Sequence, residues 1–158
     1  YRMQRLLSFM DPYADPQGSG HQIIQSYVAL AKGGLFGVGL GNSSQKLFFL
    51  PAQHNDFIFS IIAEELGLLG SSMLLCLFGF LIYSGFKILE RSKDLFSRNL
   101  IAGIVIITSL QIIINLSVTV GLMPPKGIPL PLISYGGSSL VFTLLAMGLI
   151  LALDKRRK

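Results

Sequence analysis

Three stretches without a charged residue organise the chain: 66–86, 99–125 and 127–153, of 21, 27 and 27 residues. An α-helix rises ~1.5 Å per residue, so about 20 residues cross the ~30 Å hydrocarbon core of a bilayer. Each stretch is long enough to do so and too long for an ordinary buried core helix. Pro129 and Pro131 remove backbone donors and break helix interiors, which places the start of the third helix near Leu132. Pro124 and Pro125 stop the second near Leu122. The pattern predicts membrane helices over 57–86, 99–122 and 132–153, joined by loops 87–98 and 123–131. A segment 1–56 precedes them and a basic tail 154–158 follows.

The segment before the first helix has a pattern of its own. Asp11 to Gly20 reads DPYADPQGSG, a run of turn formers. His21 to Ala31 (HQIIQSYVALA) puts Ile24, Val28 and Ala31 on one helical face. That amphipathic stretch suits a membrane interface. Five glycines follow in KGGLFGVGLGNSSQK, at positions 33, 34, 37, 39 and 41. A phosphate-cradling glycine loop needs a strand before it and a helix after it. Neither is evident, so the run is expected to be a re-entrant or close-packed loop.

Composition agrees with a polytopic membrane protein. Of 158 residues, 51% are apolar and 13% charged, with a mean hydropathy of +0.62. A soluble domain carries about 25% charged residues, twice what is present. The lone Cys76 permits no internal disulfide. The net charge of +5 would suggest nucleic-acid binding if it were spread over one face, but it is confined to two places. Lys87, Arg91, Lys93 and Arg98 outweigh Glu90 and Asp94, and Lys155 to Lys158 outweigh Asp154. By contrast, the 122–132 connection carries only Lys126. This is the asymmetry that sets orientation in a bilayer, with lysine and arginine inside. Loop 87–98 and the tail are therefore expected in the cytoplasm, with 123–131 and the first 56 residues outside. No secretory signal follows Tyr1, so an earlier span is expected to deliver that outer segment, as in the C-terminal portion of a longer protein.

Chemistry on the outer side has few candidates: Asp11, Asp15, Asp56, Glu64 and Glu65, with His21 and His54. Asp56 stands at the start of a long helix, where an N-cap aspartate contributes ~0.5–2 kcal/mol. The alternative is a carboxylate desolvated by Phe57, Ile58 and Phe59, which pushes its pKa toward the range of a general base. Glu64, eight residues on, lies ~12 Å along a helix from it, whereas paired glycosidase carboxylates stand about 5–9.5 Å apart. A single-base reaction fits better than two-carboxylate hydrolysis. The local H-x-D at His54 has no second close histidine, so no metal site is expected. Lys46 and Lys126 are the outer cations able to meet a phosphate. Gln111 and Asn115 share a face of the second span, where buried amides usually bond across helices, as structural glue before substrate contacts.

Four motifs together resemble the FtsW/RodA/SpoVE family, the SEDS proteins of bacterial cell-wall synthesis. They are ADPQGSGHQIIQS, GGLFGVGLGNSSQK, LPAQHNDFIFSIIAEELG and NLSVTVGLMPPKGIPLPLISYGGSS. The resemblance covers nearly all of 11–153, with Asn115, Gly121, Pro124, Gly127, Ser134, Gly136 and Gly137 in register. It implies an all-α polytopic membrane protein, the C-terminal part of a bundle of roughly ten helices with a large extracellular loop. GSGHQ, GVGLG and the Pro-Lys-Gly of 125–127 point to the cell-division branch, with the sporulation branch next.

The family implies a peptidoglycan glycosyltransferase that polymerises lipid II. Its H-T-D-F-I-F motif falls on His54–Phe59, making Asp56 the match for the essential aspartate, with Asn55 in place of the usual threonine. Asp56 is then the expected base on the acceptor sugar hydroxyl. Lys46, His54, Glu64, Lys126 and Ser134 are the expected substrate contacts. The leaving pyrophosphate needs positive charge, from Lys46, Lys126, an arginine elsewhere or a divalent cation such as Mg or Mn. Expected partners are lipid II, undecaprenyl-linked glycan, a class B penicillin-binding protein and other divisome proteins, at the septal inner membrane. Lipid II transport and scaffolding of the penicillin-binding protein are the competing functions. The acids lie outside and the spans offer only amides and hydroxyls, which favours catalysis.

Overall fold

The computed structural model describes residues 21–43 and 57–155. Among these the protein is all helical: α1 (His21–Gly33), α2 (Ile58–Arg91), α3 (Leu95–Thr119) and α4 (Gly137–Lys155). The last three are long and apolar enough to cross a membrane.

α1 buries Ile23, Ser26, Ala29 and Gly33, not the Ile24, Val28 and Ala31 face. The face buried in the protein is thus a different one, and the Ile24, Val28 and Ala31 face is left half-buried to exposed. The reason is its partner. α1 packs chiefly on α2 and also touches α3, and small residues let backbones approach. At Gly33 even a Cβ would overlap the Ala63 carbonyl. Ser26 Oγ donates to the Thr119 carbonyl at 2.8 Å, satisfying one of the acceptors left over at the end of α3.

α2 holds 34 residues, about 51 Å by helical rise, which exceeds the bilayer core. It is not straight. Gly67 has φ 66 and ψ −165, dividing a short leading helix from the span proper. The second part runs past the expected end at Phe86 to Arg91. Only Ser92 to Asp94 then separate it from α3, so most of the charged 87–98 stretch is helical. Lys87, Glu90 and Arg91 are good helix formers and need not end a helix. Asp94 starts α3 by accepting from Ser97 N at 3.0 Å and from Ser97 Oγ at 2.8 Å.

α3 ends in a Schellman turn. Leu122 N donates to Ser117 O at 2.7 Å and Gly121 N to Val118 O at 3.1 Å. Gly121 takes φ 72, the left-handed position that glycine fills without penalty. α4 begins at Gly137, five residues after the expected Leu132. Leu130 and Ser134 close a turn of their own first: Leu130 N donates to Ser134 Oγ at 2.8 Å, and Ser134 N to Leu130 O at 3.0 Å. Leu132, at φ 67 inside that turn, is in no position to start a helix.

Two apolar clusters hold the helices together. Phe59, Phe78, Ile112 and Leu130 pack at one end, and Ile101, Val105 and Ile150 at the other. Outward faces stay apolar, with Leu68, Met73, Phe80, Ile107, Phe142 and Leu151 all exposed. A large apolar surface of this kind suits lipid or further helices rather than water.

Candidate functional site

The site region is built around the break in α2. A continuous helix would carry hydrogen bonds from Leu68 N to Glu64 O and from Leu69 N to Glu65 O. At Gly67 both are absent, and the glycine-rich loop supplies replacements. Val38 N donates to Glu64 O at 3.0 Å and Gly39 N to Glu65 O at 3.1 Å. In return, Leu68 N donates to Gly34 O at 2.9 Å and Leu69 N to Leu35 O at 3.2 Å. The loop is thus spliced into the helix, giving a partner to each of these two donors and two acceptors. In a membrane such matching is demanded, because each unsatisfied backbone group costs several kcal/mol. The expectation of a close-packed loop at 33–41 is met in this specific form.

The loop arrives carrying Ser43. Its hydroxyl donates to Glu64 Oε2, and both residues are buried, at 0% and 1% exposure. Glu64 is therefore engaged through its carbonyl by Val38 and through its carboxylate by Ser43. Glu65, its neighbour, is half-buried, and its Oε1 has no hydrogen-bond partner among the described residues.

Near the first turn of α2 lies the 123–136 connection. Leu130 packs on Phe59 in the same apolar cluster, with Ile58 and Ile133 beside them. Asn115 Nδ2 donates to the Ile128 carbonyl at 2.8 Å, pinning this connection to α3. The amide thus joins a helix to a loop.

Asp56, Lys46 and His54 lie outside the described residues. The N-cap position of α2 falls on Phe57, whose side chain makes no capping bond. Phe57 and Phe59 are buried at 1% and 5%, so the chain directly after Asp56 is anchored in the core. Of the remaining expected contacts, Glu64 faces Ser43 inside the protein, Ser134 is buried in its turn with Leu130, and Lys126 is exposed. Each of these is thus seen with a local protein partner or at the surface. Sequence reading missed Ser43 and Gly67. A glycine inside a helical pattern, as in EELGLLG, was the signal available for the second. Among the described residues no group of three or more His, Cys, Asp or Glu is arranged to hold a metal ion.

Comparison with known proteins places these features. The probable peptidoglycan glycosyltransferase FtsW of Coxiella burnetii is 54% identical over 155 residues, covering 96% of this chain and 41% of that protein. The stage V sporulation protein E of Bacillus subtilis is 46% identical over 155 residues, covering 98% and 42%. The chain spans about two-fifths of the length of these relatives. Among solved structures, a chain of a peptidoglycan synthase complex that coordinates polymerization and crosslinking superposes with a TM-score of 0.79 at 34% identity, over 98% of this chain and 41% of that one. An aspartate-to-alanine variant of the rod shape determining protein RodA from Thermus thermophilus gives 0.64 at 35%, over 87% and 43%. The family described as cell cycle protein, FtsW/RodA/SpoVE, matches residues 1–158. With its spliced glycine loop, kinked first span and capped signature connection, the chain belongs to the FtsW/RodA/SpoVE family.

Proposed function

We propose that this chain carries the acceptor-activating part of a peptidoglycan glycosyltransferase that polymerises lipid II during bacterial cell division. The observation that carries the reading is the anchoring of Phe57 and Phe59 in the core directly after Asp56. A general base must be held to within a few tenths of an ångström of its task, and the residue next to Asp56 has no freedom to wander. The names of relatives at 54% and 46% identity support the same chemistry.

In this reaction the 4-hydroxyl of the acceptor sugar attacks the anomeric carbon of the donor. Its proton passes to the Asp56 carboxylate as the new C–O bond forms. The bond from the anomeric carbon to the pyrophosphate oxygen breaks, and its electron pair leaves with undecaprenyl pyrophosphate. Lys46 and Lys126 meet the growing negative charge on that group, and His54 lies beside the base in sequence. Ser134 serves by closing the Leu130 turn rather than by touching sugar. A class B penicillin-binding protein is the proposed partner, in keeping with the synthase complex that this chain resembles, and the septal inner membrane is the proposed location. The charged 87–98 stretch and the tail lie on the cytoplasmic side, with 123–131 and the Asp56 segment outside. Polymerisation of labelled lipid II by the full-length protein, with and without Asp56, tests the reading.

A further inference from the structure

The three long helices are tied together at one end, and their basic residues gather there. Ile101, Val105 and Ile150 form an apolar cluster with Ile88, Leu89 and Leu153 packed against it. The last turns of α2 and α4 are thereby joined to the first turns of α3. Lys87 and Arg91 flank Ile88 and Leu89 along the chain, Arg98 lies just before Ile101, and Lys155 just after Leu153. With Lys93 between α2 and α3, five exposed cations share this end. We propose that it is a docking surface for anionic phospholipid headgroups, fixing the depth of the α2–α3 hairpin in the bilayer.

Depth supports a lipid partner. α2 resumes after Gly67, and from Leu68 the rise to Lys87 is about 29 Å and to Arg91 about 35 Å. Arg98 stands about 32 Å from Thr119 along α3, and Lys155 about 27 Å from Gly137 along α4. The hydrocarbon core is ~30 Å thick, so each helix that crosses it delivers its cation to the far edge, where lipid phosphates lie. Tyr83 marks the same level. Its exposed ring has Lys87 Nζ 5.9 Å from the centroid, and tyrosines gather at membrane–water boundaries.

Charge is available at this end as well. Its acids are Glu90, Asp94 and Asp154, and Asp94 caps α3 through Ser97 N and Oγ. Among the described residues no ion pair joins Arg91, Lys93, Arg98 or Lys155 to an acid. The first turn of α3 also exposes Leu95 and Phe96, at 71% and 72%, between Lys93 and Arg98. Apolar side chains set between cations match an anionic lipid, whose acyl chains and phosphate meet both kinds of group. A free phosphate would engage the cations and leave Leu95 and Phe96 uncovered.

The test uses the full-length protein in phosphatidylcholine nanodiscs, titrated with phosphatidylglycerol that carries a photoactivatable group near its phosphate. Cross-links to residues 83–101 are quantified by mass spectrometry. Both faces of the disc carry the probe, so the outcome does not depend on which side is cytoplasmic. Nor does it depend on Asp56 or on polymerisation. Unlabelled phosphatidylglycerol should compete, whereas phosphatidylcholine and soluble glycerol phosphate should not. Each basic residue beside an anionic membrane surface is worth about fivefold in affinity. Replacing Arg91, Lys93 and Arg98 together by glutamine should therefore raise the half-saturating fraction of probe about tenfold or more. Arg91→Lys with Arg98→Lys keeps the charge and should shift it by less than about threefold.

Equal cross-linking by a phosphatidylcholine probe overturns the proposal, as it would if this end served an acidic protein segment instead. Competition by glycerol phosphate as effective as by the lipid also overturns it, since a site for free anions would then suffice. If the triple variant fails to fold, Lys93→Gln, which lies outside both helices, carries the test. A shift of about fivefold is expected there, and no shift is decisive against a headgroup surface.

Discussion

Gly37 and Gly67 face each other so closely that neither has room for a side chain. A Cβ on Gly37 would overlap the Glu65 carbonyl, and one on Gly67 would overlap the Gly37 nitrogen. Gly67 also sits at φ 66 and ψ −165, a region almost reserved to glycine, where an L-residue is strained by roughly 1–3 kcal/mol. Gly67→Ala should therefore destabilise by about 2 kcal/mol or more, since strain and overlap add. Gly79→Ala is the control. That helical glycine has open space around it, and alanine there should be neutral or stabilising by up to ~1 kcal/mol. Thermal unfolding of the full-length protein in detergent compares the two; equal melting temperatures would mean that the splice is not needed.

Asp56→Asn separates basicity from capping. Asparagine caps helices about as well as aspartate, yet it cannot take the acceptor proton. Polymerisation should fall by at least ~10²–10⁴-fold, with membrane insertion and partner binding intact. Glycan chain length on gels, at matched expression, gives the measurement. A purely capping aspartate would leave Asp56→Asn nearly silent.

Orientation is open to direct labelling. Cysteines placed at Lys93 and Lys158 should be shielded from an impermeant thiol reagent in intact cells, while one at Lys126, exposed on the opposite connection, should react. Labelling at Lys93 from outside would reverse the topology and put Asp56 on the wrong side for lipid II.

Asn115→Leu removes the donor that holds the Ile128 carbonyl. Losing such a buried bond costs about 1–3 kcal/mol, and the 123–136 connection should open locally. Limited proteolysis or hydrogen exchange there should rise before any change in α1.

Ser26→Ala and Gly121→Ala test how α1 holds the end of α3. Ser26→Ala deletes one hydrogen bond to Thr119 O and should cost about 1 kcal/mol. Gly121→Ala should cost more, because its left-handed backbone is combined with overlap on the Tyr27 hydroxyl. Equal effects in thermal unfolding would contradict the close approach of Tyr27.

Much of the architecture was settled by the sequence alone, and for a simple reason. Burying a helix in lipid depends on hydrophobicity summed along consecutive residues, so the three spans were legible without knowing any contact. The end of α3 was legible only approximately: Pro124 and Pro125 placed it near Leu122, whereas the Schellman turn at Gly121 closes the helix at Thr119. Asp56 was singled out by its motif and its place before an apolar helix. Tertiary structure decided the remainder. Gly67 stands in an apolar run that reads as unbroken helix, and the backbone groups that fill its break come from residues 34–39, about thirty positions earlier. Hydrogen bonds between main chains leave no trace in side-chain composition. The buried face of α1 was likewise set by the close approach of α2, which favours Ser26, Ala29 and Gly33 over the larger residues that a hydrophobic count selects. Glu64 shows the same limit: nothing in its sequence surroundings announces that Ser43, twenty-one positions earlier, donates to its carboxylate.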